Sequence, residues 1–117
     1  MANHLRGEIE ADIGGERRIL CLTLGALAEL ETAFGATDLM ALAERFQLGR
    51  LSAHDIITII ACGLRGGGAK VSDAEVAAMR TPDGVRGFVA IAAKLVAAAF
   101  GEPATDGAPR PPTPQDA

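Results

Sequence analysis

A chain of 117 residues with 49% hydrophobic residues has enough apolar material for one core. With 3% aromatics and no Trp or Tyr, that core must be aliphatic, built from Leu, Ile, Val and Ala with a few Phe. A net charge of −4 withholds the basic field that phosphate backbones favour, and no apolar run approaches the roughly 18 residues of a membrane span, so neither nucleic acid nor membrane is an expected partner.

The first residues, MANHLRGEIE, turn acidic without an apolar stretch, so no secretory signal is expected and a cytoplasmic location follows. Residues 1–5 read as a frayed terminus. Residues 7–13 alternate strictly, with Ile9, Ala11 and Ile13 on one face and Glu8, Glu10 and Asp12 on the other, the pattern of a half-buried strand. Gly14 and Gly15 supply the positive φ values of a tight hairpin turn. The return strand covers residues 16–22, with Arg18, Leu20 and Leu22 on one face and Ile19 and Cys21 on the other. Being apolar on both faces near its end, it calls for helices above it.

Thr23 is placed to cap a first helix whose apolar stripe is Leu24, Leu27, Ala28, Leu30 and Phe34, with Gly35 at its left-handed stop. A second helix starts near Thr37 or Asp38, presents Leu39, Leu42, Ala43 and Phe46, and ends before Gly49. Ser52 caps a third, with Asp55 completing a weaker capping box. Ile56, Ile57, Ile60 and Leu64 share a face that Ile59 widens, so this helix should be buried on more than one side and dominate the core. Three glycines, 66–68, read as a flexible connector to a short fourth helix, where Ser72 and Glu75 form a capping box and Val76 and Met79 point inward. Thr81-Pro82-Asp83-Gly84 breaks the chain before a last helix, residues 85–100. Its stripe is Val85, Phe88, Val89, Ala92, Leu95, Val96, Ala99 and Phe100. Leu20, Leu22, Leu27, Leu30 and Phe34 are expected to face the third and last helices. The fold class is therefore α+β: an N-terminal antiparallel β-hairpin packed on a bundle of about five short helices. Residues 1–101 form the domain, and residues 102–117 a disordered Pro-rich tail in which P-x-x-P can be read at 109–112 or 111–114.

Chemistry is sparse. Cys21 and Cys62 sit among aliphatic neighbours with no C-x-x-C, the pattern of free thiols acting as small hydrophobes rather than a disulfide. The run LRGGGAKV fails as a phosphate loop. Counting from Gly63, Ala69 displaces Lys70, Val71 stands where a hydroxyl belongs, and a helix precedes it. His4 lies in the frayed terminus. Ser52, His54 and Asp55 are neighbours in sequence, where a triad needs converging side chains. Glu8, Glu10 and Asp12 form a carboxylate row without the further oxygen ligands a cation needs, better suited to a solvated strand face. The reading is no enzyme, no catalytic residue, no metal and no cofactor. What remains are interaction surfaces, either a hairpin edge open to a partner's strand or a groove between Ala-rich helices, at positions the sequence leaves unknown.

From Gly7 to Gly68 the chain resembles a small tail protein of bacterial gene transfer agents, the phage-like particles that package host DNA. The resembling segments are RGEIEADIGGERRILCLTLGALAELETAFG, LMALAERF and GRLSAHDIITIIACGLRGGG, followed more loosely by VSDAEVAAM and the last helix. The resemblance implies a non-enzymatic tail assembly chaperone, which binds the tape-measure protein while the tail tube forms. The alternative is a structural tail component, tube or adaptor, retained in the finished particle. Implied partners are the tape-measure protein, the tail tube protein and a second copy of the chain, in the cytoplasm or on assembling particles.

Overall fold

Two strands and five helices follow one another in a computed structural model that describes residues 7–101. The start expected to fray, with His4, and the Pro-rich tail lie outside the described residues. Strand β1 (Glu8–Ile13) pairs antiparallel with β2 (Glu16–Cys21), in a register running from Ile13 opposite Glu16 to Glu8 opposite Cys21. The turn uses Gly14 at φ 66° and Gly15 at φ 83°, the left-handed backbone that two-residue hairpins require. Ile9, Ala11, Ile13 and Leu20 make the buried face of this ribbon, joined by Leu22 just beyond β2.

The helices are α1 (Leu24–Phe34), α2 (Leu39–Gln47), α3 (Ala53–Gly66), α4 (Asp73–Ala77) and α5 (Val85–Phe100). Side chains start four of them. The oxygens of Thr23, Asp38, Ser52 and Ser72 accept from the backbone N–H of Ala26, Ala41, Asp55 and Glu75, and the boxes at Ser52 and Ser72 are reciprocal. Gly35 ends α1 at φ 69°. Helix α3 is the axis of the fold, packing against β2, α1, α4 and α5. Its residues 58–64 are all buried, beyond what an amphipathic stripe provides. Burying Ile59, Ile60 and Leu64 contributes about 1.5–3 kcal/mol each.

Leu20, Leu22, Leu27 and Leu30 are buried as expected, while Phe34 is half-buried against the Phe46 ring. Five stripe positions are corrected. Leu24 is 75% exposed, Leu39 39%, Val85 80% and Val89 50%, and Ala28 is exposed as well, while Ala26, Gly87 and Ile91 are buried. At α5 the buried line is 87, 91, 92 and 95, the side that packs on α3 and β1, so Val85 and Val89 turn outward. Gly87 also meets the preceding turn closely, where a Cβ would sit 2.1 Å from Thr81 Oγ1.

Two of the three glycines, Gly66 and Gly67, are not a loose connector, whereas Gly68, at φ 105°, stands in open space. A Cβ on Gly66 would lie 2.0 Å from the Cys21 carbonyl oxygen, and one on Gly67 2.1 Å from that of Ile19. Gly66 ends α3 and Gly67 caps it at φ −83°, so space rather than a left-handed backbone demands glycine here.

Candidate interaction surfaces

Each polar cluster singled out in the sequence has a structural partner. On the outer face of the hairpin, Arg17 lies 3.4 Å from Glu10 and 3.3 Å from Asp12, so two of the three carboxylates in the row share one guanidinium. Hydrogen bonding to Asp12, then its charge and the Glu10 contact, raises the Arg17 pKa. At the start of α3, Ser52 Oγ accepts from Asp55 N at 3.1 Å while Asp55 Oδ2 accepts from Ser52 N at 3.0 Å and from Arg45 at 3.1 Å. Burial pushes the Asp55 carboxyl up, but the Ser52 and Arg45 contacts outweigh it and hold the group below its ordinary range. His54 is exposed, and neither neighbour turns toward it. Among the described residues, no three His, Cys, Asp or Glu side chains are grouped to hold a metal ion.

Neither Cys21 nor Cys62 is in a disulfide, and Cys62 is buried on α3. Its thiol donates to Glu29 Oε1 at 3.3 Å, and burial together with the nearby carboxylate pushes it up to about 12. That leaves the thiol inert as a nucleophile. Arg65, one turn on, bonds Glu29 at 3.0 Å, Asp73 at 3.2 Å and the Val71 carbonyl at 3.0 Å, tying α1, α3 and the start of α4 together. The Arg65 bond holds Glu29 below its ordinary carboxylate range. This clasp joins residues 36 positions apart, a separation at which no local sequence pattern signals a pair.

Of the two edges of the ribbon, that of β2 is closed near its end. The register turns the Ile19 and Cys21 backbones away from β1, and the Gly66–Gly67 terminus of α3 sits directly against their carbonyls. A partner strand cannot add there. The two ends of β1 are also engaged, Gly7 beside the Ala98 carbonyl of α5 and Gly14 N donating to the Arg80 carbonyl at 2.8 Å.

Among the described residues, α2 and α5 each leave apolar side chains open, as does Leu24 at the start of α1. On α2, Met40 is 73% and Leu48, its C-cap, 70% exposed, and a shallow groove runs along Ala41, Glu44, Arg45, Gln47 and Leu48. Behind it Phe46 packs between Phe34 and Phe100, at centroid distances of 5.5 and 6.0 Å, with Arg45 over the Phe34 ring. On α5 the outward side carries Arg86, Val89, Ala90, Ala93 and Lys94, with Val85 on its shoulder.

The family model described as phage tail tube protein, GTA-gp10, matches residues 6–102. The chain belongs to that family. The match takes in both strands and all five helices. No curated protein and no solved structure matches the chain. In this member of the GTA-gp10 family, α2 and α5 leave apolar side chains exposed. The sequence placed Val85 and Val89 of this surface in the core. Their exposure follows from the packing of the opposite side of α5 on α3 and β1, elements distant in sequence.

Proposed function

We propose that this chain is a non-enzymatic component of the tail of a phage-like gene transfer agent particle, retained in the finished particle. The family match across residues 6–102, to proteins described as phage tail tube, carries this reading. Its partners are then neighbouring tail proteins, and its place the assembling particle in the bacterial cytoplasm. The same reading takes residues 1–101 as one folded unit, with 102–117 as a tail.

Assembly chaperone is the second reading. It is supported by the covered end of the β2 edge, where α3 takes the place a partner's strand would need. It is also supported by the exposed Met40 and Leu48 on α2, where a helix such as a tape-measure segment could lie. Quantitative mass spectrometry of purified particles, paired with a pull-down of the tape-measure protein, separates the two. Stoichiometric copies in the particle support the component reading. Absence from particles with tape-measure binding would replace it by the chaperone.

A further inference from the structure

We propose that the outward face of α5 docks an acidic amphipathic helix of a second tail protein. The proposal rests on the tail reading above. Surface helices normally turn charged residues to water. On α5 the outward positions between Arg86 and Lys94 are Val89, Ala90 and Ala93, and Val89 is 50% exposed with Val85 beside it at 80%. The helix has no acidic residue at all. Neither Arg86 nor Lys94 takes part in an ion pair among the described residues, as is also true of Arg50, Lys70 and Arg80, but only these two stand on one helix face with apolar residues between them. An apolar strip framed by two uncompensated cations fits a partner that is apolar in the middle and anionic at the ends. Eight residues span about 12 Å of helix, so the matching carboxylates stand a little over two turns apart on the partner. The alanines let the two backbones approach to about 8 Å.

The same charges argue against the other occupants. In a symmetric antiparallel pair of α5 helices centred on Ala90, Arg86 of each copy meets Lys94 of the other. In a parallel pair each cation meets itself. Both arrangements set like charges together. Two cations on a chain of net charge −4 are also too few to hold a nucleic acid backbone.

The test uses the full chain and two synthetic helical peptides sharing one alanine face, one with glutamates eight positions apart and the other with lysines there. Binding by fluorescence anisotropy should favour the acidic peptide by at least about tenfold at low salt, and the preference should shrink as salt rises. Arg86→Glu with Lys94→Glu should reverse the preference. Leu48→Glu on α2 should leave it intact, and circular dichroism checks that each variant is folded. Equal binding of both peptides, binding of neither, or a preference surviving the double reversal overturns the proposal. A photo-cross-linker at Ala93 in particle-producing cells should capture an acidic helical segment of another tail protein, and capture of a second copy overturns it. The tail reading fails separately, if the wild-type chain is neither in particles nor bound to the tape-measure protein. If wild-type and doubly reversed chains enter particles equally, the α5 docking fails while the tail reading stands.

Discussion

Replacing Gly66 with alanine sets two effects against each other. At the last position of α3, helix propensity alone favours alanine by about 0.8–1 kcal/mol. The added Cβ, however, would stand 2.0 Å from the Cys21 carbonyl oxygen and 3.1 Å from its carbon. Reaching even the tight limit of 3.0 Å requires a separation of at least 1.0 Å (3.0 minus 2.0), and the obstacle is backbone that no rotamer change can move. The shift would pull α3 off β2, where Leu20 and Leu64 are fully buried. Overpacking of this kind costs about 1–3 kcal/mol. Taking the upper end and subtracting the propensity gain leaves Gly66→Ala destabilised by about 2 kcal/mol, near 10 °C in melting temperature for a domain of this size. Gly25→Ala is the matched control. In the first turn of α1 its Cβ would meet only Thr23 Oγ1, at 3.9 Å, so the same substitution there should stabilise by about 0.5–1 kcal/mol. Urea unfolding followed by circular dichroism reads both. If Gly66→Ala is neutral or stabilising, the α3 terminus does not seat on β2 as described.

The Cys62 thiol, pushed up to about 12, should resist a thiol-reactive dye at pH 8 in the folded protein and react at once in urea. Because the folded value lies above the ordinary 9.0, the thiol's contribution to stability is complete below 9.0 and is lost as pH climbs toward about 12, so melts should weaken over that window more than those of Cys62→Ala. Arg65→Ala removes bonds to Glu29, Asp73 and the Val71 carbonyl. With the side chain 32% exposed, solvent screening limits the cost to about 1–2 kcal/mol, read by urea unfolding. Ser72→Ala strips the cap from the five-residue α4 and should cost about 1 kcal/mol, with faster amide exchange confined to that helix.

The parts of this fold that could be read from the sequence are those specified within a few residues. Strict alternation located β1, Gly14-Gly15 the turn, and Thr23, Asp38, Ser52 and Ser72 the helix starts, because caps and turns are local chemistry. The rotation of a helix about its own axis is not local. Val85 and Val89 fit the helical period as well as Ile91 does, and only the packing of α5 on α3 and β1 decides which of them face the core. The same holds for the glycines after Leu64. Their composition matches a flexible loop, and only the approach of β2 shows Gly66 and Gly67 to be a fitted surface. The open faces of α2 and α5 were out of reach for this reason, since exposure is what remains after all distant contacts are made. The family was legible because element order and length carry it.

The enclosure of α3 also determines how this protein can move. An amide surrounded by core on all sides exchanges its hydrogen only when the whole structure opens, whereas a helix held along one side can detach alone. The amides of residues 58–64 should therefore exchange last and at a common free energy, one that equals the stability of the entire fold. Those of α2, which packs mainly on α1, should exchange far earlier. When the chain takes its place in a tail, docking on α2 can reshape its own helix, while α3 holds the hairpin, α1, α4 and α5 in register as one rigid body.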